Sequence, residues 1–84
     1  MRIRIRLTGR GYHVASSLPA ELELDDQAGL ADALRVLGEQ CDGLLTASMM
    51  VLVDGRHVGT VGSYQPTRLQ EGSELELLAP VAGG

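Results

Sequence analysis

One segment of this chain has the periodicity of a helix, and it lies between segments that have the periodicity of strands. Its apolar residues are spaced so that they share one helix face, with the charged residues off that face. The apolar positions are Leu30, Ala33, Leu34, Leu37 and Cys41. A lone amphipathic helix among strands can bury this face only against a sheet. The sequence therefore predicts an α+β fold, with one main helix packed on one face of a mixed sheet of four to five strands.

Alternation of polar and apolar residues predicts two strands before the helix and three after it. In the first strand, apolar residues at positions 3, 5 and 7 alternate with arginines at 2, 4 and 6, and in the second, leucines alternate with glutamates over residues 21–24. The later strands are predicted over residues 49–53, 56–58 and 74–79. The pair Asp54-Gly55 predicts a tight hairpin between the first two of these. Residues 61–68 are predicted to form a loop, and Asp25 and Asp26 are candidate N-caps of the helix.

This order of elements matches the β-grasp, or ubiquitin-like, arrangement, in which the first strand lies between the second and the last. That arrangement makes a prediction about charge. The arginines of the first strand should lie beside the glutamates at positions 21, 23, 74 and 76, and opposite charges across neighbouring strands favour one register.

Composition narrows the choice of partners. The chain has 84 residues and a net charge of −4, and it contains no lysine, so it lacks the basic footprint of nucleic-acid or membrane-surface binding. We expect protein partners, no nucleic acid and no membrane. The N-terminal segment has no uninterrupted apolar stretch typical of a signal peptide, which predicts a cytosolic protein.

Few side chains point to chemistry within the chain. Cys41 is the single cysteine, which excludes an internal disulfide, and its place on the helix stripe predicts a core residue. His13 and His57 are far apart and have no partners at metal-ligand spacing. Met49 and Met50 are predicted to fill the core. We therefore expect no catalytic residue and no metal site.

The chain ends in a double glycine, which makes a thin and flexible terminus that can enter a narrow cleft. Together with the helix, the hairpin around Asp54-Gly55 and the segment Thr67–Leu75, this ending resembles the MoaD/ThiS family of sulfur carriers. The final residues, Pro80-Val81-Ala82-Gly83-Gly84, look most like those of the small subunit of molybdopterin synthase. The resemblance implies a ubiquitin-like β-grasp domain over residues 1–80 and a flexible tail over residues 81–84.

The resemblance also implies a function that resides in the tail. In this family an adenylating enzyme related to ubiquitin-activating enzymes joins AMP to the terminal glycine, here Gly84. A cysteine desulfurase or rhodanese then supplies the sulfur of a thiocarboxylate. Pro80, Val81, Ala82, Gly83 and Gly84 would enter the active site of a large catalytic subunit, such as that of molybdopterin synthase. The chain itself would bind no cofactor stably and would not be an enzyme, since ATP is used by the activating partner.

The sequence also allows other functions. The sulfur could go to thiamin, cysteine, tRNA or a specialised metabolite, or the same activated Gly84 could modify lysines of target proteins. A third reading is a non-covalent β-grasp interaction domain with an incidental tail. For partner docking we expect the outer sheet face, where Leu78 is predicted to be an exposed apolar residue flanked by Glu74 and Glu76.

Overall fold

In the part of the chain that the structure describes, six strands form one mixed sheet, and one helix supplies the other half of the core. A computed structural model describes residues 1–8, 19–40 and 45–78. In chain order, the elements are β1 (Arg2–Thr8), β2 (Glu21–Glu23), α1 (Leu30–Gln40), β3 (Met50–Val53), β4 (Arg56–Thr60), β5 (Ser63–Tyr64) and β6 (Glu74–Leu78). The strand order across the sheet is β2-β1-β6-β3-β4-β5. The predicted α+β class and the β-grasp order of elements are confirmed.

β1 lies in the middle of the charged half of the sheet. It pairs antiparallel with β2 and parallel with β6, so that Arg4 has Glu21 on one side and Glu74 on the other. The predicted meeting of arginines and glutamates is therefore confirmed. An Arg2 nitrogen lies 3.7 Å from a Glu23 oxygen, but both side chains are more than half exposed. Pairs of this kind contribute little stability in water, and their main effect is on register.

The sheet has six strands, whereas four to five were predicted, because part of the expected loop pairs with β4. β5 lies within residues 61–68, and its partners across the pair are Gly59 with Tyr64 and Thr60 with Ser63. Gly59 has a φ of +137°, and a Cβ at this position would lie 2.5 Å from the carbonyl oxygen of Ser63. Only glycine allows this close return of the backbone, which extends β4 beyond its predicted end and adds β5.

The hairpin between β3 and β4 has the predicted turn. Asp54 and Gly55 both have positive φ values, of 52° and 83°, as a type I′ turn requires. The Asp54 carboxylate accepts hydrogen bonds from the backbone N–H of Glu74 at 2.9 Å and from the hydroxyl of Ser73 at 3.4 Å. Ser73 is buried. The turn residue therefore also ties the hairpin to the start of β6.

The helix starts later than its predicted caps. It begins at Leu30, and the backbone N–H of Gly29 donates to the carboxylate of Asp32 at 2.9 Å. An acidic residue in the first turn that reaches back to the residue before the helix is one half of a capping box. The prediction that Asp25 or Asp26 caps the helix is wrong, because both residues belong to a turn over residues 25–28, and Gly29 separates that turn from the helix.

Asp26 instead binds the N-terminal ammonium group of Met1, with an oxygen 3.0 Å from the nitrogen. The same ammonium donates to the backbone carbonyl of Leu24. The hydrogen bond to Asp26 raises the pKa of this ammonium group above its ordinary value of 8.0, and the nearby charge of Glu23 adds to the effect.

The core lies between α1 and the inner sheet face. The helix contributes four of the five predicted stripe residues, and Leu75 and Leu77 face them from β6 with no exposed surface. The fifth stripe residue, Cys41, lies outside the described residues, as do His13, Ala79 and the tail. The helix in the described part of the chain has 11 residues and is too short to cross a membrane.

Candidate functional site

The predicted site residues follow directly on a central strand. β6 ends at Leu78, between the end of β1 and the start of β3. Pro80, Val81, Ala82, Gly83 and Gly84 lie outside the described residues, so their role stays a prediction. The structure does show where β6 ends, and the chain continues from that end of the sheet toward these residues.

Around the end of β6, the outer sheet face carries apolar side chains. Leu78 is half-buried and pairs with Thr8 of β1 on one side and Met50 of β3 on the other. The prediction that Leu78 is exposed is therefore only partly met. The exposed apolar side chain at this end of the sheet is Met50, with 41% of its surface accessible.

Met50 was predicted to fill the core, and that prediction is wrong. Successive residues of a strand point to opposite faces. Because Val51 and Val53 lie on the buried face, Met50 and Leu52 must lie on the outer face. Met49 is buried as predicted, with 5% of its surface accessible. The alternation of β3 could have separated the two methionines, since the valines mark the inner face.

The acidic residues beside Leu78 bind groups of the neighbouring strand. The Thr8 hydroxyl donates to the Glu76 carboxylate at 2.7 Å, and an Arg6 nitrogen lies 3.9 Å from a Glu74 oxygen. These contacts place one hydrogen-bonded and one ion-paired carboxylate on the strand that ends at Leu78. We refer to Thr8, Met50, Leu52 and Leu78 together as the outer-face patch. An apolar centre with a polar rim is the usual make-up of a protein-binding surface.

The remaining predicted candidates lie beside this patch or outside the described chain. His57 is exposed on β4, opposite Leu52 across the strand pair. Within residues 1–8, 19–40 and 45–78, no three His, Cys, Asp or Glu side chains converge as a metal site would require.

A mixed sheet with one helix on its inner face, a central first strand and a double-glycine ending after the last strand define a ubiquitin-like β-grasp protein. The profile of the ThiS family matches residues 5–84. The chain belongs to the ThiS family.

Comparison with solved structures supports the same fold. The crystal structure of SAMP1 from Haloferax volcanii superimposes with a TM-score of 0.69, at 23% sequence identity, and the match covers 100% of both chains. No curated protein matches this sequence. Family and fold together support a sulfur carrier or a ubiquitin-like modifier.

Proposed function

We propose that this protein is a sulfur carrier whose Gly84 carboxylate is adenylated and then converted to a thiocarboxylate. The observation that carries the proposal is the match to the ThiS family, which extends through the final glycine pair. The proposal requires Gly84 to be the terminal residue of the working protein.

The chemistry explains why a partner must act first. A terminal carboxyl group has a pKa of about 3.3–3.7, so at neutral pH it is an anion that resists attack by sulfur. Adenylation with ATP forms a mixed anhydride between the Gly84 carboxyl group and AMP and releases pyrophosphate. The outer sulfur of an enzyme persulfide then attacks the acyl carbon, and AMP leaves. A thiol cleaves the resulting acyl disulfide, which frees the thiocarboxylate and leaves the donor cysteine in a mixed disulfide with that thiol, and a second thiol reduces this disulfide.

All reagents for these steps come from partners. An adenylating enzyme of the ubiquitin-activating type supplies ATP chemistry, and a cysteine desulfurase or rhodanese supplies the persulfide. We propose that this chain contributes the acyl group and a docking surface, and that it is not itself an enzyme. The need for ATP and for a reduced sulfur donor supports a cytosolic location.

We propose the outer-face patch as the docking surface for these partners. The patch lies at the end of β6, from which the chain leads to Gly84, so a partner that binds the patch can also bind the tail. Exposed Met50 is a suitable contact, because its unbranched and polarisable side chain adapts to different surfaces.

For the sulfur acceptor we propose the molybdopterin precursor, held in the large subunit of molybdopterin synthase. The support is the resemblance of Pro80-Val81-Ala82-Gly83-Gly84 to the ending of the small subunit. Glycine at the last two positions lets the tail pass through a narrow channel.

The activation step can be tested by ATP–pyrophosphate exchange with a candidate adenylating enzyme. We expect exchange that depends on this protein and that is lost when Gly84 is deleted. A matched control is Gln40→Ala, which changes an exposed helix residue far from the tail in sequence and should leave exchange unchanged. Equal exchange with and without Gly84 would overturn the proposal.

A ubiquitin-like modifier would share this activation step, since family and fold support both classes. The two differ in the fate of the activated glycine, which would acylate a lysine of a target protein in a modifier. Conjugates that survive reducing agents would therefore favour the modifier.

A further inference from the structure

Two arginines line one hollow at the end of the sheet opposite Leu78. Arg56 begins β4, and Arg68 pairs with Gly29 just before α1. Both side chains are exposed, and both line one hollow of about 280 Å³, together with Thr67 and Gln70. Val53 pairs with Arg56 across the hairpin, whereas Met50 pairs with Leu78, so about 10 Å of strand separates this hollow from the outer-face patch.

The carboxylates that share a hollow with these arginines bind other groups. Asp54 lines the same hollow as Arg56 and Arg68, and its carboxylate accepts hydrogen bonds from the backbone N–H of Glu74 and the hydroxyl of Ser73. Asp26 and Glu71 share a second hollow with Arg68. However, Asp26 binds the N-terminal ammonium at 3.0 Å, and Glu71 accepts from the backbone N–H of Arg2 at 3.0 Å.

Arg56 and Arg68 differ in their carboxylate contacts from three of the six arginines that the structure describes. Arg2, Arg6 and Arg35 each lie within 4.0 Å of a carboxylate oxygen. No such contact is made by Arg56 or Arg68 with any of the residues that the structure describes. Arg4 has no close pair within the described residues either, but it stands between Glu21 and Glu74 in the sheet.

The shape and chemistry of the hollow indicate its ligand. Val53 and Val58 line it and are nearly buried, each with 6% of its surface accessible. Its volume is slightly below the range of about 300–1,000 Å³ that is typical of small-molecule sites. A guanidinium group offers a planar fork of donors that matches a carboxylate.

We infer that this hollow binds an acidic segment of a partner protein. One carboxylate of the segment contacts Arg56 and Arg68. This surface, which we call the arginine hollow, lies at the opposite end of the sheet from Leu78, so the inference does not depend on the chemistry proposed for Gly84.

The inference can be tested by NMR with a capped hexapeptide in which glutamate and leucine alternate. Backbone amide shifts of the ¹⁵N-labelled protein would be followed during titration with this peptide, with the same peptide carrying lysine for glutamate, and with inorganic phosphate. We expect saturable shifts at residues 53–58 and 67–70 with the acidic peptide only. In the double variant Arg56→Gln/Arg68→Gln, affinity should fall about tenfold or more, the loss of roughly 1.4 kcal/mol that one charge-assisted contact accounts for.

The matched control is Arg6→Gln/Arg35→Gln, which removes two positive charges that already have carboxylate partners. We expect this control to bind the acidic peptide within about twofold of the unchanged protein, well below the effect of one lost contact. Thermal melts would show that both double variants fold. The inference is overturned if the acidic peptide shifts no residue of the arginine hollow, or if both double variants weaken binding equally. Shifts with phosphate alone would also overturn it, in favour of a site for a small anion.

Discussion

At the scale of single residues, Gly59 is the position where an added side chain would be tolerated least. Its φ of +137° is strained for any other residue, and an added Cβ would lie 2.5 Å from the Ser63 oxygen and 2.6 Å from the Tyr64 Cα. We predict that Gly59→Ala lowers the free energy of unfolding by at least about 1–3 kcal/mol, the range for backbone strain alone. Urea denaturation would measure this loss. Gly55→Ala is the control, because its φ is +83° but no atom lies within 4 Å of the added carbon. If Gly55→Ala were as damaging, the close approach at β5 would not be the cause.

Gly38 is predicted to behave in the opposite way. It lies inside α1, and a Cβ there would meet no atom within 4 Å. Alanine favours a helix interior over glycine by about 0.8–1.0 kcal/mol. We therefore predict that Gly38→Ala raises the free energy of unfolding by about 0.5–1 kcal/mol and the melting temperature by several degrees. A lower melting temperature would show that Gly38 is needed for a contact of its own.

The ammonium group of Met1 should make stability depend on pH. Folding raises its pKa, so its contribution is fully present below pH 8.0 and is lost as the pH rises through the higher pKa of the folded state. The chain has no lysine, so no other amine titrates in this range. For the chain that begins at Met1, we predict that Asp26→Asn flattens the fall in melting temperature above pH 8.0, while Asp25→Asn does not. Equal pH profiles for the unchanged protein and Asp26→Asn would contradict this account.

At the scale of elements, alternation predicted which faces of the strands are buried, and the hairpin at Asp54-Gly55 was predicted from its two residues alone. Two features needed the structure. β5 is only two residues long and has no alternation to read. The capping of α1 depends on Asp32, which lies inside the helix and not before it. The candidate site divides in the same way: the sequence indicates the tail, whereas Met50 belongs to a run that is apolar throughout, in which alternation separates it from Met49 but polarity does not mark the outer face.

The outer-face patch gives a prediction that belongs to this scale. We predict that Met50→Glu weakens binding to the adenylating enzyme about tenfold or more, because an unpaired carboxylate would be desolvated in the interface. Binding would be measured by calorimetry with the purified enzyme. The control is Gln40→Glu, which adds the same charge at an exposed position of α1, on the other face of the sheet. Unchanged affinity in a folded Met50→Glu variant would remove the patch from the docking surface.

At the scale of the whole molecule, the described residues form one domain with two distinct surfaces. The outer-face patch lies at the end of β6, and the arginine hollow lies at the opposite end of the sheet. The sequence could predict this domain because local periodicity determines its helix and most of its strands. Which partners dock on it depends on surfaces of other proteins, which this chain does not encode.

The most direct test of the central claim is the intact mass of the protein after co-expression with a candidate adenylating enzyme and a sulfur donor. We predict a gain equal to the replacement of one oxygen by sulfur, located at Gly84 by fragmentation and absent when Gly84 is deleted. An unchanged mass, with an enzyme that supports pyrophosphate exchange on this protein, would contradict a sulfur carrier. Lysine-linked conjugates in place of the sulfur gain would contradict it in favour of a protein modifier.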